Sequence, residues 1–341
     1  MSNNKEIVLV TGISGWIAQF CAVELINAGY FVRGSLRTMN RQQEVINALS
    51  KVVDTTNSLE FCELDLLKDD GWDDAMAGCT YVMHIASPFY LKEPKNENEL
   101  IEPAKMGTLR ALISAKKAGV KRVVLTSSIA AIFAHLREGI VTPATWTDIN
   151  GYINTYQKSK TVAEQAAWDF INNQTDATPM ELTVVNPGGV MGPTLNEDIE
   201  SESLSICKKL FTGEMPGIPN LRIPMVDVRD VAEHHLKAMI MPDAKNKRII
   251  SSHREPTEFM EFAMILKEGG YKVPTNKVPT FILKILALFD AEIKGLLPLI
   301  GQNVTCDNSE TIQLFNWTPR PLKQSFLDMA QSVKAILEKR K

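Results

Sequence analysis

A glycine-rich turn follows the first apolar segment, and it restricts the fold of this chain more strongly than any other feature. The segment reads EIVLVTGISGWIAQF, with Gly12, Gly15 and Ala18 at intervals of three. Glycines permit a tight turn out of a strand and close approach to a pyrophosphate, and the following helix N-terminus faces the phosphates. The turn therefore predicts a dinucleotide site, the alternative being a purely structural turn. The expected cofactor contacts here are Thr11, Gly12, Ser14, Gly15, Trp16 and Ile17.

Short apolar runs alternate with helical patterns through the first half of the chain. The strand-like runs are EIVLVTG, YFVRGSLR, LEFCELDL, YVMHIASP and KRVVLTSS, with helical patterns near 16–28 and 99–118. Strands rich in Val, Ile and Leu that are separated by helices form βαβ units in a parallel sheet covered on both faces. The later runs ELTVVNPGGV, RIPMVDV and KRIISS belong to the same sheet or lie beside it. The predicted fold class is α/β, a Rossmann-type doubly wound parallel sheet.

Two segments outside this pattern predict a smaller, mostly helical substrate-binding domain. They cover about 195–220 and 254–320, where helical patterns are interrupted by glycine and proline. The nucleotide-binding domain would then comprise 1–194 plus about 221–253. Residues 321–341 have the pattern of one closing amphipathic helix.

Charge and cysteine content exclude several classes of function. A net charge of -3 over 341 residues gives no reason to expect nucleic acid or an anionic membrane as a partner. Five cysteines without a close pair are typical of reduced thiols in the cytoplasm and argue against a disulfide framework or a zinc site, so no metal is expected. The N-terminus passes directly into an apolar strand, which predicts no signal peptide. We expect a cytoplasmic monomer or homodimer.

The most apolar late stretch is FILKILALFDAEIKGLLPLIG. Charged residues interrupt it, and the apolar runs between them are too short to span a bilayer. We expect buried amphipathic helices in this region, with a membrane-surface element as the alternative.

The second strand predicts which dinucleotide binds. An Asp or Glu at its end would bind a ribose 2′-hydroxyl and favour NAD, whereas an arginine suits a 2′-phosphate. This chain has Arg37 there and no acid, and a guanidinium can grip a phosphate through two hydrogen bonds. The expected cofactor is therefore NADP(H), with Arg37 as the main determinant and Arg33 or Arg41 as possible helpers. A solvated arginine is the alternative.

Further cofactor contacts are expected where the third and fourth strands end. Asp65 and Leu66 follow the third strand and can reach the adenine, and Ala86 and Ser87 follow the fourth. We interpret His84, inside the fourth strand, as a packed and hydrogen-bonded histidine rather than a catalyst.

A tyrosine and a lysine stand four residues apart in NTYQKSK. Positions i and i+4 share a helix face, so Tyr156 and Lys160 can meet, and a cation beside a phenol lowers the pKa of the phenol. Ser127 and Ser128 stand at the carboxyl end of the fifth strand, where open α/β sheets bind ligands. Residues expected around a nicotinamide are Thr126, Tyr156, Lys160, Pro187, Gly188 and Val190.

With these motifs in place, the chain resembles an extended short-chain dehydrogenase/reductase. The resemblance rests on the TGxxGxxA turn of 11–18, the strand-end serines and the YxxxK spacing of Tyr156 and Lys160. Within that superfamily the chain is similar to the dihydroflavonol-4-reductase-like group, which includes NADPH-dependent methylglyoxal, carbonyl and aldehyde reductases. The supporting stretches are HIASPF, RVVLTSS, VNPGGVMGP, VDVRDVAEHHLKA and ALFDAEIKGLLPLIG.

The resemblance implies NADPH-dependent reduction of a small-molecule aldehyde or ketone to an alcohol. In that reaction Tyr156 gives a proton to the carbonyl oxygen, and Lys160 binds the nicotinamide ribose and keeps the pKa of Tyr156 low. Ser128 holds the carbonyl oxygen and is preferred to Ser127, the fallback, because the second serine aligns with the family's catalytic position. The expected substrate contacts are Ser87, Phe89, Ser128, Ile129 and Gly188.

One position departs from the pattern of the family. Many relatives carry an asparagine in a PAVNGT-like stretch, whereas this chain has PAKMGT with Met106 in that place. A proton relay through that helix is therefore in doubt, although the serine, tyrosine and lysine are all present.

Three other functions share parts of this pattern. An NAD-dependent nucleotide-sugar epimerase or dehydratase uses the same three residues but needs late arginines for its substrate, and the late region here is rich in Leu, Phe and Ile. A sterol-type hydroxy dehydrogenase lies closer to the reductase interpretation. A non-catalytic NADP sensor would tend to lose the tyrosine or the lysine.

Overall fold

The computed structural model describes residues 5–87 and 92–340. Its strands are short and rich in Val, Ile and Leu, as the buried strands of a parallel sheet are. They are β1 Ile7–Val10, β2 Phe31–Leu36, β3 Leu59–Glu63, β4 Cys79–His84, β5 Arg122–Thr126, β6 Glu138–Val141, β7 Glu181–Pro187, β8 Gly189–Met191, β9 Arg222–Asp227, β10 Arg248–Ser251, β11 Pro256–Glu258 and β12 Asn303–Cys306.

Helices connect most of these strands. They are α1 Trp16–Asn27, α2 Gln42–Leu49, α3 Trp72–Met76, α4 Asn98–Lys117, α5 Ala130–Phe133, α6 Thr155–Asn172, α7 Glu202–Thr212, α8 Val228–Ile240, α9 Phe259–Glu268, α10 Thr280–Leu286, α11 Ala291–Leu296, α12 Ser309–Phe315 and α13 Leu322–Lys339.

Seven parallel strands form the main sheet in the order β10-β7-β5-β4-β1-β2-β3. Successive side chains of a strand point to opposite faces. Accordingly Val8 and Val10 pack in the core beneath α1 and α8, and Leu9 packs beneath α3, α4 and α6. The predicted fold class, a doubly wound Rossmann-type sheet, is confirmed. Strand order reverses between β1 and β4, the place where such sheets bind ligands at their carboxyl ends.

The chain leaves the main sheet directly after β7. β8 and β9 pair in parallel and β11 pairs antiparallel with β9, so these strands form a separate three-stranded sheet beside the main one. β10 returns to the main sheet next to β7. Of the two possibilities for the late strands, β9 therefore lies beside the main sheet and β10 belongs to it. A third, two-stranded sheet joins β12 to β6.

The two predicted domains share one hydrophobic core in the described residues. Leu204 of α7, Phe262 of α9 and Phe326 of α13 belong to the same buried cluster as Val8 and Val10 of the main sheet. The domain boundaries stay a prediction.

The apolar late stretch differs from the sequence-based expectation. In α10 only Leu283 is buried, while Phe281 and Ile285 are exposed, as are Leu288 and Phe289 in the turn that follows. The prediction of buried helices is therefore wrong for α10, whose main packing partner among the described residues is α11. Among the described residues, none of the helices has the length and apolar character needed to cross a bilayer.

Candidate active site

A cleft of about 740 Å³ opens at the carboxyl ends of the central strands. Residues of the glycine turn and of β2, β4 and β5 line one part of it, and residues of β9, α7 and α11 line another. The cleft thus lies between the main sheet and the segments that follow β7.

The glycine turn has the shape that a dinucleotide phosphate requires. Gly12 has φ +65°, a conformation that side chains disfavour, and a Cβ there would lie 2.9 Å from the Cβ of Ala86. Helix α1 begins at Trp16, and its N-cap residue Gly15 provides no side-chain hydrogen bond. The orphan N–H groups at the start of α1 carry partial positive charge beside the cleft, so the turn fits an anionic pyrophosphate.

His84 is hydrogen-bonded to the first residue of the glycine turn, Thr11. Thr11 Oγ1 accepts hydrogen bonds from the N–H groups of Ile85 and Ala86, both at 3.0 Å, which leaves its own proton for His84 Nδ1 at 3.0 Å. Burial lowers the pKa of His84 to about 3, so the ring is neutral. This is the packed, hydrogen-bonded histidine that the sequence predicts.

Two of the three arginines near β2 line the cleft. Arg37 is exposed at the end of β2. Arg41 stands beside it, pairs with Glu44 at 2.8 Å and Asp198 at 3.0 Å, and donates to Ser14 Oγ at 3.3 Å. Arg37 thus presents a guanidinium to the cleft where a 2′-phosphate is expected.

Arg33 is not available to a cofactor. Its guanidinium binds Glu60 at 2.6 Å and the carbonyl oxygens of Ala75 and Ala77, and it does not line the cleft. The prediction of Arg33 as a helper of Arg37 is wrong, because a residue inside β2 faces the neighbouring strand and α3 rather than the strand end.

The two strand-end serines face different partners. Ser127 is buried and donates to Glu164 Oε2 at 2.5 Å. The Ser128 hydroxyl lines the cleft and hydrogen-bonds the Tyr156 phenol. Ser128 Oγ also accepts the N–H of Ala130 at 3.1 Å, which leaves its own proton available to donate. Geometry therefore favours Ser128 over the fallback Ser127.

Helix α6 brings Tyr156 and Lys160 to the cleft on one face. The helix starts with a capping box, in which the side chain of Asn154 accepts from the N–H of Gln157 and the side chain of Gln157 accepts from the N–H of Asn154. Asn154 also donates to the carbonyl of Gly295 at 2.8 Å, which ties the start of α6 to α11. The two residues of the cap are the first and last of the sequence NTYQ, three positions apart.

The pKa of Tyr156 differs from the sequence-based expectation. Burial raises it to about 12, the hydrogen bond with Ser128 opposes this rise, and the charge of Glu202 adds to it. The ammonium of Lys160 lies 3.4 Å from the carbonyl oxygen of Thr126, and burial lowers its own pKa to about 8. The prediction that the pKa of Tyr156 is low is therefore wrong for this structure, because burial has the largest effect on the phenol.

Nearly all the other predicted contacts line the cleft. This set is Thr11, Gly12, Ser14, Gly15, Trp16, Ile17, Arg37, Leu66, Ala86, Ser87, Thr126, Ser128, Ile129, Tyr156, Lys160, Pro187, Gly188 and Val190. Asp65 does not line it, and its carboxylate instead accepts the N–H of Leu67 at 3.0 Å. Phe89 lies outside the described residues. Met106 is exposed on α4 and is not part of the lining.

Sequence reasoning missed most of the second wall. Apolar side chains from α5, α7, β9 and α11 form it, and Glu202 and Gln302 are polar members. No local motif marks these residues. The pairing of β9 with β8 brings β9 to the cleft, and the hydrogen bond from Asn154 to Gly295 ties α11 to the start of α6.

Fold and site together define the class of Rossmann-type dinucleotide-binding proteins. The model of the family described as "NAD dependent epimerase/dehydratase family" matches residues 8–251. The chain belongs to this family, the extended short-chain dehydrogenases/reductases, and the resemblance stated from the motifs is confirmed.

Several relatives extend over most of the chain. Cinnamoyl-CoA reductase CAD2 of Medicago truncatula is 34% identical over 78% of this chain and 82% of its own. NADPH-dependent methylglyoxal reductase GRE2 of Saccharomyces cerevisiae is 30% identical over 96% of this chain and 97% of its own. The crystal structure of yeast methylglyoxal/isovaleraldehyde reductase Gre2 complexed with NADPH superimposes with a TM-score of 0.80 at 28% identity, covering 98% of this chain and 100% of that chain.

Proposed function

We propose that this protein is an NADPH-dependent reductase that converts aldehydes or ketones to alcohols. The observation that carries the proposal is the convergence of Ser128, Tyr156 and Lys160 on one cleft with the glycine turn. The relatives named as NADPH-dependent or cinnamoyl-CoA reductases, and the similar structure that holds NADPH, support it. The scattered free cysteines support a cytoplasmic location. A monomer or homodimer stays a prediction.

The chain's own residues divide the work around the carbonyl group. NADPH, when bound, supplies the hydride that reaches the carbonyl carbon. Ser128 donates a hydrogen bond to the carbonyl oxygen, and Tyr156 delivers the proton, so the C=O bond becomes C–H and O–H. Because burial keeps the pKa of Tyr156 at about 12, the phenol retains this proton at neutral pH. Lys160 holds the nicotinamide ribose and supplies positive charge beside the developing phenolate.

Arg37 is proposed to select NADPH over NADH. We expect Arg37→Asp to lower the ratio of kcat/KM for NADPH to that for NADH ~10–100-fold, because a charge-assisted phosphate contact is lost and a like charge replaces it. Rates with both cofactors in one preparation provide the measurement. Arg41→Asp serves as the comparison and should have a smaller effect, since Arg41 is already paired with Glu44 and Asp198. An unchanged ratio in Arg37→Asp would show that another group reads the phosphate.

The second wall indicates a substrate with an apolar body. It presents Phe133, Ile206, Leu221, Ile223 and Leu299 to the cleft, and such surfaces favour apolar ligands. The arginine that β9 brings to this wall, Arg222, is paired with Glu258. A sugar nucleotide would need free cations for its diphosphate, so this wall favours the reductase over the epimerase.

Glu202 is proposed to discriminate against anionic substrates. It lines the cleft, and its charge acts on Tyr156, the group nearest the carbonyl. We expect Glu202→Gln to raise kcat/KM for a 2-keto acid relative to its ethyl ester about fivefold. The substitution removes a repulsion of roughly 1 kcal/mol between the Glu202 carboxylate and the substrate carboxylate. Glu200→Gln is the matched control, since Glu200 pairs with Lys208 outside the cleft lining. Equal ratios in wild type and Glu202→Gln would contradict this role.

The function itself is tested by NADPH and NADH consumption with aldehydes, α-dicarbonyls, aryl ketones and a dihydroflavonol. The reductase predicts NADPH-dependent turnover of at least one apolar carbonyl compound. Tightly retained NAD without such turnover would favour a nucleotide-sugar epimerase instead. NADP binding without any turnover would favour a sensor.

A further inference from the structure

A buried carboxylate lies directly behind the strand-end serines. The Glu164 side chain has no exposed surface. Its Oε2 accepts from Ser127 Oγ at 2.5 Å and Asn186 Nδ2 at 2.8 Å, and its Oε1 accepts from Arg248 Nε at 2.5 Å and Trp168 Nε1 at 3.3 Å. Four donors from four elements or loops of the fold therefore converge on one side chain of α6.

This carboxylate also holds the backbone that presents Ser128. Asn186 Nδ2 donates both to Glu164 and to the carbonyl oxygen of Ser128, the latter at 3.1 Å. Ser127, the preceding residue, is bound to Glu164 through its hydroxyl. The turn after β5 is thus anchored on both sides of the peptide bond that joins the two serines, and this sets where Ser128 meets Tyr156.

Arg248 fixes the position of the carboxylate. Its guanidinium also donates to the carbonyl oxygens of Pro143 and Thr145, both at 2.6 Å, and lies 3.7 Å above the ring of Trp146. The Arg248 side chain is 8% exposed, so water hardly screens the pair. The Glu164 carboxylate is therefore held in a fixed position.

Glu164 lies one helical turn after Lys160. Two other elements face Lys160 with neutral groups, since β4 contributes His84 and β5 the carbonyl of Thr126. Behind Thr126, His235 of α8 hydrogen-bonds its Oγ1 at 2.6 Å. Burial lowers the pKa of His84 to about 3 and that of His235 to about 4. Among the described residues, Glu164 is the charged side chain that opposes the effect of burial on Lys160.

We propose that Glu164 is a positioning residue for carbonyl reduction, whose carboxylate anchors the Ser127–Ser128 turn and keeps the ammonium of Lys160 charged. The proposal rests on the proposed function, since Ser128 and Lys160 act in that reaction. An ion pair that only stabilises the fold would leave the charge of Lys160 unaffected.

The pH profile of Glu164→Gln separates the two possibilities. We expect kcat/KM of the wild type to fall as pH rises through about 8, where Lys160 loses its proton. In Glu164→Gln this fall moves to lower pH by ~1 unit, because a negative charge one helical turn away is lost. Glu181→Gln is the matched control: Glu181 pairs with the buried Arg122 at 2.6 Å, but at the opposite ends of β5 and β7. It should leave the profile in place.

A second variant keeps the test decisive if Glu164→Gln does not fold. In Glu164→Gln/Arg248→Met the pair is removed together, which proteins tolerate better than one unpaired buried charge. NMR titration of lysine Cε, assigned with Lys160→Arg, reads the charge of Lys160 without turnover. A Lys160 titration that shifts to lower pH supports the proposal even if the wild type proves inactive, in which case the reductase function alone fails. Because the double variant also removes the cation of Arg248, its expected shift is smaller than that of Glu164→Gln. An unchanged titration in folded Glu164→Gln, or a titration moved to higher pH in the double variant, overturns the proposal, whatever the activity.

Discussion

Tyr156→Phe lowers kcat for carbonyl reduction about 10²–10⁴-fold and leaves NADPH affinity within a few-fold of wild type. The substitution removes one oxygen, the atom that hydrogen-bonds Ser128 and that carries the transferable proton. The cap of α6 is made by Asn154 and Gln157, and Lys160 hydrogen-bonds the carbonyl of Thr126, so neither contact uses that oxygen. Steady-state rates together with NADPH binding followed by fluorescence make the measurement, because binding shows that the cleft is intact.

Tyr152→Phe is the control for this experiment. Tyr152 precedes α6 by three residues and is 61% exposed, with its ring against Arg137. Losing its hydroxyl should change neither rate nor binding. Turnover above a tenth of wild type in Tyr156→Phe would mean that another group, or water, donates the proton.

Gly188→Ala is expected to lower the free energy of unfolding by about 3 kcal/mol or more and to weaken cofactor binding. A Cβ at this position would lie 2.3 Å from the carbonyl oxygen of Pro224 and 2.9 Å from Ser252 Cβ. Pro224 cannot move away because it is paired with Pro256 in the second sheet. Ser252 is held near Gly188 because the preceding residue, Ser251, accepts the N–H of Gly188 at 3.0 Å. The strain would push apart the two sheets that enclose the cleft.

The adjacent glycine provides a matched control. In Gly189→Ala the new Cβ would make ordinary contacts with Ile223 at 3.4 Å and Met225 at 3.5 Å. Urea denaturation of both variants measures the difference, which we expect to exceed about 2 kcal/mol. Comparable stability of the two variants would show that the second sheet can shift, and that Gly188 is not required for the closed cleft.

Features that depend on neighbours in sequence were predictable. The intervals of the glycine turn, the periodicity of the strands and the NTYQ cap of α6 are local, and each corresponds to an element of the structure. The four-residue spacing placed Tyr156 and Lys160 on one face for the same reason. The fold class follows from the alternation of such elements, because the helical connection between two parallel strands of one sheet is almost always right-handed.

Features that depend on distant partners were not predictable. Adjacent serines have the same side-chain chemistry, and although the resemblance favoured Ser128, their different partners lie on a distant element. Glu164 binds Ser127 and Tyr156 binds Ser128, and both partners belong to α6. Asp65 was expected at the adenine because it follows the third strand, yet it does not line the cleft, and its carboxylate accepts the N–H of Leu67 in its own turn. Burial decided the pKa of Tyr156, and burial is a property of the packed molecule.

The sequence by itself determined the sheet, the nucleotide turn and the helix that carries Tyr156 and Lys160, since hydrogen bonding within strands and helices follows local spacing. Tertiary structure decided that Ser127 binds Glu164 while Ser128 meets Tyr156. It also decided that Arg33 is held by Glu60 away from the cleft, and which apolar residues form the second wall. The physical reason is that side chains at a strand end or on a loop can point in several directions, and packing against segments far away in the chain selects one.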